Sequence, residues 1–290
     1  VTLTGWVSDT YGNAVAPTAV QFTQSGVGQL SAASATTVNG RATTAVTSQT
    51  SGQAQVTARV GARQSTASVQ FSPLAPATLA LEALGAPTAS VPLPVRAVAR
   101  DQYQNRVSAG HLVNFSVLTG TGNLAPTTPT TDATGTATTT LNTTVAGALT
   151  VRAQAGQAWA DAPLDVAAGP VVALRVTASP SSVSVDGGQT TLTIRSVDKD
   201  GNWVKTYSGA VNLSFTSALT GVLSSAAPVL SGGTASVTLT APNSYSSQGL
   251  VVQASRQGLT SGSATIPLLP ADVTVRLDTS PPLGAGGYRT

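Results

Sequence analysis

The sequence predicts an all-β protein: three tandem two-sheet sandwiches strung in an extended rod, with no helices of note. Three observations predict it. The composition is rich in Thr, Ala, Ser, Val and Gly, with a single glutamate, Glu82, and two lysines, which disfavours helix and favours strands joined by tight turns. Short apolar alternations are punctuated by turn signals every 8 to 12 residues or so. And one series of landmarks runs through the chain three times, about 95 residues apart, a length that suits seven strands.

The series begins at a turn. Asp9-Thr-Tyr-Gly-Asn13-Ala-Val15 returns as Asp101-Gln-Tyr-Gln-Asn105-Arg-Val107 and as Asp198-Lys-Asp-Gly-Asn202-Trp-Val204. In such a turn the Asp side chain bonds back to the turn amides, and Gly or Asn takes the positive φ. An alternating strand follows at Val20-Gln-Phe22, Val113-Asn-Phe115 and Val211-Asn-Leu213, then a turn at Gly28-Gln-Leu30, Gly122-Asn-Leu124 and Gly221-Val-Leu223. A further strand opens at Gly40-Arg-Ala42, Gly135-Thr-Ala137 and Gly233-Thr-Ala235. Its period-two runs, Ala42–Val46 and Ala235–Leu239, are expected to place small apolar groups on one face and hydroxyls on a wet one. Val56 and Ala58, Val151 and Ala153, and Val252 and Ala254 mark the strand after that. With no cysteine in the chain, packing alone must hold the sheets together.

Pro-containing linkers separate the repeats at Ser72–Pro76, Ala168–Pro170 and Pro267–Pro270. They divide the chain into 1–74, a sandwich lacking its own first strand; 75–169; 170–269; and 270–290, the first strand of a further sandwich or a donor strand for a neighbouring subunit. Linkers of this length and proline content are stiff, hence the expected rod.

This order of landmarks resembles the group 1 bacterial immunoglobulin-like domains of invasin- and intimin-type adhesin stalks, which also occur in surface-layer and filament proteins. The third repeat departs from it with Ser-rich residues near Tyr245, and the second carries Gln104 where the turn glycine stands. The resemblance implies an immunoglobulin-like sandwich and a structural role outside a bacterial cell, at its surface.

The two ends read as complementary. Val1-Thr-Leu-Thr aligns with Val95-Arg-Ala-Val98 and Thr191-Leu-Thr-Ile194, the second strand of the later repeats, while the tail carries a first strand, Val273-Thr-Val-Arg-Leu277. Setting Val275–Thr290 before Val1–Asp9 reproduces the length of the intact stretch Leu174–Asp198, with Ser280-Pro281 on Ser179-Pro180. Two readings follow. Either Val273, Val275 and Leu277 of one subunit add to an acceptor edge formed by Val1, Leu3 and Val7 of the next, as in strand donation, or the chain is a window of a longer tandem array. The expected partners are therefore copies of itself or adjacent repeats, head to tail.

The chemical inventory is thin. One histidine, His111, lies near Ser108 and Asp101 but without a Gly-x-Ser-x-Gly elbow, and no catalytic site is expected. Asp198, Asp200 and Asn202 are candidate oxygen ligands for calcium, the only cofactor considered; the calcium-loop glutamate is missing, and a simple turn is the plainer reading. An isopeptide bond would need a buried Lys beside an acid, whereas Lys199 and Lys205 sit in a turn region and Glu82 lies in another repeat. Trp6, Trp159 and Trp203, with Tyr11, Tyr103 and Tyr207, could form a carbohydrate-stacking surface; packing is the simpler role. The net charge is +3, carried by singly scattered Arg and Lys, so no footprint for nucleic acid exists. No apolar run approaches the ~18 residues of a membrane-spanning helix. The expected function is a non-catalytic, secreted section of a cell-surface stalk, filament or surface layer, the alternative being an adhesin module that grips a sugar or receptor with its end loops.

Overall fold

The computed structural model describes residues 1–15 and 17–271, and these contain strands and turns and no helix. The assembly strand Val273, Val275 and Leu277 lies outside the described residues. The chain divides into two compact units, Val1–Val166 and Ala167–Thr290.

The first unit opens with β1 (Thr2–Trp6), β2 (Ala19–Gly26), β3 (Gln29–Leu30), β4 (Ser34–Thr36), β5 (Arg41–Thr47), β6 (Gly52–Val60) and β7 (Arg63–Phe71). They form two sheets, ordered β1-β5-β3 and β4-β2-β6-β7. Alternation puts Val20, Phe22, Ala42, Val46, Ala54 and Val56 between them. β8 (Thr78–Ala83), β9 (Leu93–Arg100), β10 (Asn114–Thr119), β11 (Asn123–Ala125), β12 (Thr136–Asn142), β13 (Gly147–Ala155) and β14 (Ala158–Val166) follow. Their sheets run β11-β12-β9-β8 and β10-β13-β14, and they enclose a larger core built on Leu93, Val95, Val113, Phe115, Leu141 and Val151.

The second unit comprises β15 (Ala173–Ser179), β16 (Val183–Ser184), β17 (Gln189–Val197), β18 (Gly209–Ala210), β19 (Asn212–Phe215), β20 (Val222–Leu223), β21 (Val229–Leu230), β22 (Thr234–Thr240), β23 (Leu250–Arg256), β24 (Leu259–Ile266) and β25 (Leu268–Leu269). Seven of these join as β19-β23-β24-β15-β17-β22-β20. Strand β15 makes the connection: it is antiparallel to β17 and touches β24 in parallel at Ala173 and Thr260. The core is centred on Leu192, Ile194, Leu239, Leu250 and Ile266.

The register ties the repeats together residue by residue. Gly5, Ala97 and Ile194 face Ala42, Ala137 and Ala235, and each precedes its turn aspartate by the same interval. Val1 therefore corresponds to Leu93 and Thr190, a shift of two places and of one from the alignment expected. The two-residue slip leaves the alternation unchanged, so composition could not register it, whereas the one-residue slip exchanges the two faces.

A second correction concerns the hydroxyls. In β5 the inward face is Ala42, Thr44 and Val46, and in β12 it is Ala137, Thr139 and Leu141. Thr44 and Thr139 are tolerated inside because each hydroxyl donates to a loop carbonyl, Ala32 O at 2.8 Å and Pro126 O at 2.6 Å. A buried hydroxyl is costly only when it lacks such a partner.

Candidate functional site

The three Asp–Asn turns share one geometry. In each, the aspartate amide donates to the asparagine carbonyl, at 2.9 Å for Asp9 and Asp101 and 3.0 Å for Asp198. Asp101 Oδ1 accepts from the amides of Tyr103 and Asn105, both 2.9 Å, and Oδ2 accepts from Asn105 Nδ2 at 3.0 Å. Asp9 and Asp198 repeat these bonds with Tyr11 and Asn13, and with Asp200 and Asn202. The residue before the asparagine has positive φ: Gly12 at 85°, Gln104 at 68°, Gly201 at 85°.

The second and third turns do one thing more. Asp101 Oδ2 accepts from the Leu74 amide at 3.0 Å, and Asp198 Oδ2 from the Gly169 amide at 2.8 Å. Both donors lie in the linker that enters the repeat, so a buried carboxylate locks the incoming chain to the turn. Asp101 and Asp198 are 0% and 2% exposed, whereas Asp9 is exposed. Burial works to raise the two buried carboxyls, yet the asparagine side-chain bond and the three backbone amides outweigh it and hold both below the usual carboxylate range. Asn105 extends the lock to the preceding repeat. Its Nδ2 donates to Gln49 O at 2.7 Å, and its Oδ1 accepts from the Ser51 amide at 2.9 Å.

Bonds of this kind engage the carboxylates of two of the three residues considered for calcium. Asp198 spends its oxygens on four N–H groups, and Asp200 takes Lys199 Nζ at 3.0 Å. Among the described residues no group of three or more His, Cys, Asp or Glu is gathered for a metal. His111 Nε2 lies 3.5 Å from Ser108 Oγ, at the long end of hydrogen-bond reach. The tryptophans are each stacked by an arginine: Arg41 lies 4.1 Å from the Trp6 ring, Arg152 4.5 Å from Trp159 and Arg195 4.7 Å from Trp203. Trp6 and Trp159 remain more than half exposed, and so does Tyr11.

The second feature is a groove of about 620 Å³ in the first repeat, walled by β1 (Leu3–Trp6) and β7 (Arg63–Ala67) and floored by Phe22, Val56, Ala58 and Val60. It holds the expected acceptor edge, Leu3 and Val7, while Val1 lies 62% exposed beside it. In the later repeats the corresponding place is occupied by a strand. Strand β8 pairs with β9 there, and β15 pairs with β17 and reaches β24. Beneath them Val95, Ala97 and Ala99, like Leu192, Ile194 and Ser196, are 0% exposed; their counterparts Leu3, Gly5 and Val7 are half-exposed. Ala58 and Val60 are likewise half-exposed where Ala153 and Ala155 are buried. Both β1 and β7 are edge strands of their sheets.

Residues 1–72 and 92–167 match the family model of the bacterial Ig-like domain, group 1. No curated protein matches the chain. Among solved structures, the Escherichia coli adhesin FdeC shares 21% identity, covering 91% of this chain and 91% of its own, with a TM-score of 0.57. InvD of Yersinia pseudotuberculosis shares 17%, covering 91% and 90%, with a TM-score of 0.51. Likeness at this identity concerns the fold. With over half its residues inside the family match, and the landmarks of that match set on paired strands, this chain belongs to the group 1 bacterial Ig-like domain family.

Proposed function

We propose that the chain is a non-catalytic, structural section of a bacterial cell-surface stalk, filament or surface layer, and that its first repeat is completed by a strand of the kind spelled by residues 271–290. The linker lock supports this reading most. Asp101 and Asp198 each bind the amide of the incoming linker, and Asn105 adds two bonds to the repeat before it. Such bonds suit a spacer, in which each linker is held to the turn of the repeat it enters. A ligand-binding site is instead built around convergent, accessible polar groups in a pocket. Here the turns spend their polar groups on the backbone.

The experiment is brief proteolysis of intact cells that carry this sequence, followed by mass spectrometry. Release of its peptides ahead of cytosolic marker peptides supports the reading, and retention alongside those markers overturns it. Glycan and matrix-protein arrays probed with the purified chain test the adhesin alternative; specific binding abolished by Trp6→Ala or Trp159→Ala would favour that alternative over a spacer.

A further inference from the structure

We infer that the outer face of the third repeat binds an acidic polysaccharide, through Arg175, Arg195 and Lys205 gathered at Trp203. The inference goes beyond the spacer reading and does not depend on it.

In the sequence the three cations stand 20 and 10 residues apart; the fold collects them. Arg175 on β15 lies directly opposite Arg195 on β17. Both are exposed and alternate with buried neighbours, Leu174 and Val176 on one strand, Ile194 and Ser196 on the other. Arg195 Cζ lies 4.7 Å and Lys205 Nζ 5.3 Å from the centre of the Trp203 ring, so the indole ties the third cation to the other two.

Like charges set directly across a ladder repel. Among the described residues nothing offsets them: the side chains of Arg175, Arg195 and Lys205 have no ion pair and no hydrogen bond. The acids nearest in sequence are engaged elsewhere, Asp198 by four N–H groups and Asp200 by Lys199. Nor does the sheet require the arrangement. One place on from Ala97, which corresponds to Ile194, the second repeat sets Val98 opposite Ala80, both uncharged. Two opposed arginines on an exposed face are accounted for by an anion that arrives from outside, since guanidinium groups present paired N–H donors suited to the oxygens of an acidic group.

The surroundings select the carrier. Next along the same face Thr177, Thr193 and Ser236 form a row across three strands, about 7 Å away by the rise of two residues. Ser179, Thr191 and Thr238 form the row after it. Thr177 donates to Thr193 O at 3.4 Å, while the hydroxyls of Thr193 and Ser236 have no partner among the described residues. Rows of hydroxyls beside cations suit a sugar chain that bears acidic groups. Exposed charges hold a lone small anion weakly in salt, whereas a polymer presents its anions at high effective concentration. A single-stranded nucleic acid needs an open ring on which to stack its bases; Trp203 is half-buried and already engaged by two cations.

The test passes the purified chain at low ionic strength over immobilised polygalacturonate, dextran sulfate and unsubstituted dextran. Retention on the acidic polymers and not on plain dextran is expected. A double variant, Arg175→Gln with Arg195→Gln, should bind roughly tenfold more weakly or worse, as the loss of charge-assisted bonds dictates. Arg59→Gln with Arg63→Gln, the same charge change in the first repeat, should bind as the parent does. No retention on either acidic polymer overturns the site. Equal loss in both double variants also overturns it, because net charge alone then accounts for binding. A single-stranded oligonucleotide that binds as tightly as polygalacturonate, and loses as much in the first double variant, overturns polysaccharide as the ligand. Arg175→Gln alone separates a structural role: removing one of two opposed like charges should leave the melting temperature unchanged or higher, and a lower one overturns the site. Surface proteolysis is independent of all these outcomes, so failure here leaves the spacer reading intact.

Discussion

A single residue can carry the junction between repeats, and Asn105 is the clearest case. Its side chain bonds the turn aspartate, Gln49 and Ser51 at once. Asn13 holds the equivalent position, on an exposed turn, and among the described residues its side chain bonds only Asp9. Asn105→Ala should therefore cost about 1–3 kcal/mol, the range for stranding part-buried partners, and Asn13→Ala under about 1 kcal/mol. Chemical denaturation measures the difference, and faster hydrogen exchange at the Ser51 amide in Asn105→Ala alone would place the loss at the lock. Gln104 points the other way. It sits at φ 68°, where the other copies have glycine, and a left-handed residue with a Cβ pays about 1 kcal/mol or more. Its carbonyl accepts from Arg100 Nη1 at 2.7 Å, a bond that any side chain preserves. Gln104→Gly should raise the melting temperature by roughly 2–4 °C, the shift about 1 kcal/mol produces in a unit of this size.

At the scale of strands, the repeats differ in how well their cores are sealed. The first core counts six buried residues among those described, the second fourteen and the third seventeen, and the shortfall lies along the β1–β7 groove. Local opening should follow that order. Hydrogen exchange on the dilute chain should release β1 and β7 amides before those of β9 and β13, and β17 and β23 last; uniform protection across the three would contradict it. Much of this architecture was legible in advance, because period-two alternation and the Asp–Asn turns are local signals. Two parts were not. The inward Thr44 and Thr139 depend on carbonyls of distant loops, which no short window contains. The linker lock uses backbone amides of Leu74 and Gly169, whose side chains differ and so leave no pattern to align. The groove was legible only as an edge, Val1, Leu3 and Val7; its depth at Ala58 and Val60 and its β7 wall required the fold.

For the molecule as a whole, the locks set an acid limit. Asp101 and Asp198 have folded carboxyl pKa values below the ordinary one. A depressed value contributes stability that is present above the unfolded pKa, about 3.9, and is lost as pH falls through the folded one. The melting temperature should thus hold from pH 7 to about 5 and decline below 4. Asp198→Asn should lower it at pH 7 and shrink the further loss on acidification; an unchanged acid decline would remove Asp198 from the account. Asp9, Asp132 and Asp161, all exposed, are also held below the ordinary value by their own hydrogen bonds and share in the decline.

The lock grips an amide hydrogen and ignores the side chain that follows it. Linker residues are thereby interchangeable parts, free to drift in evolution so long as each keeps its hydrogen. Proline alone breaks the arrangement. Pro270 occupies the place in its linker that Leu74 and Gly169 hold in theirs, and having no amide hydrogen it has nothing to offer such a carboxylate.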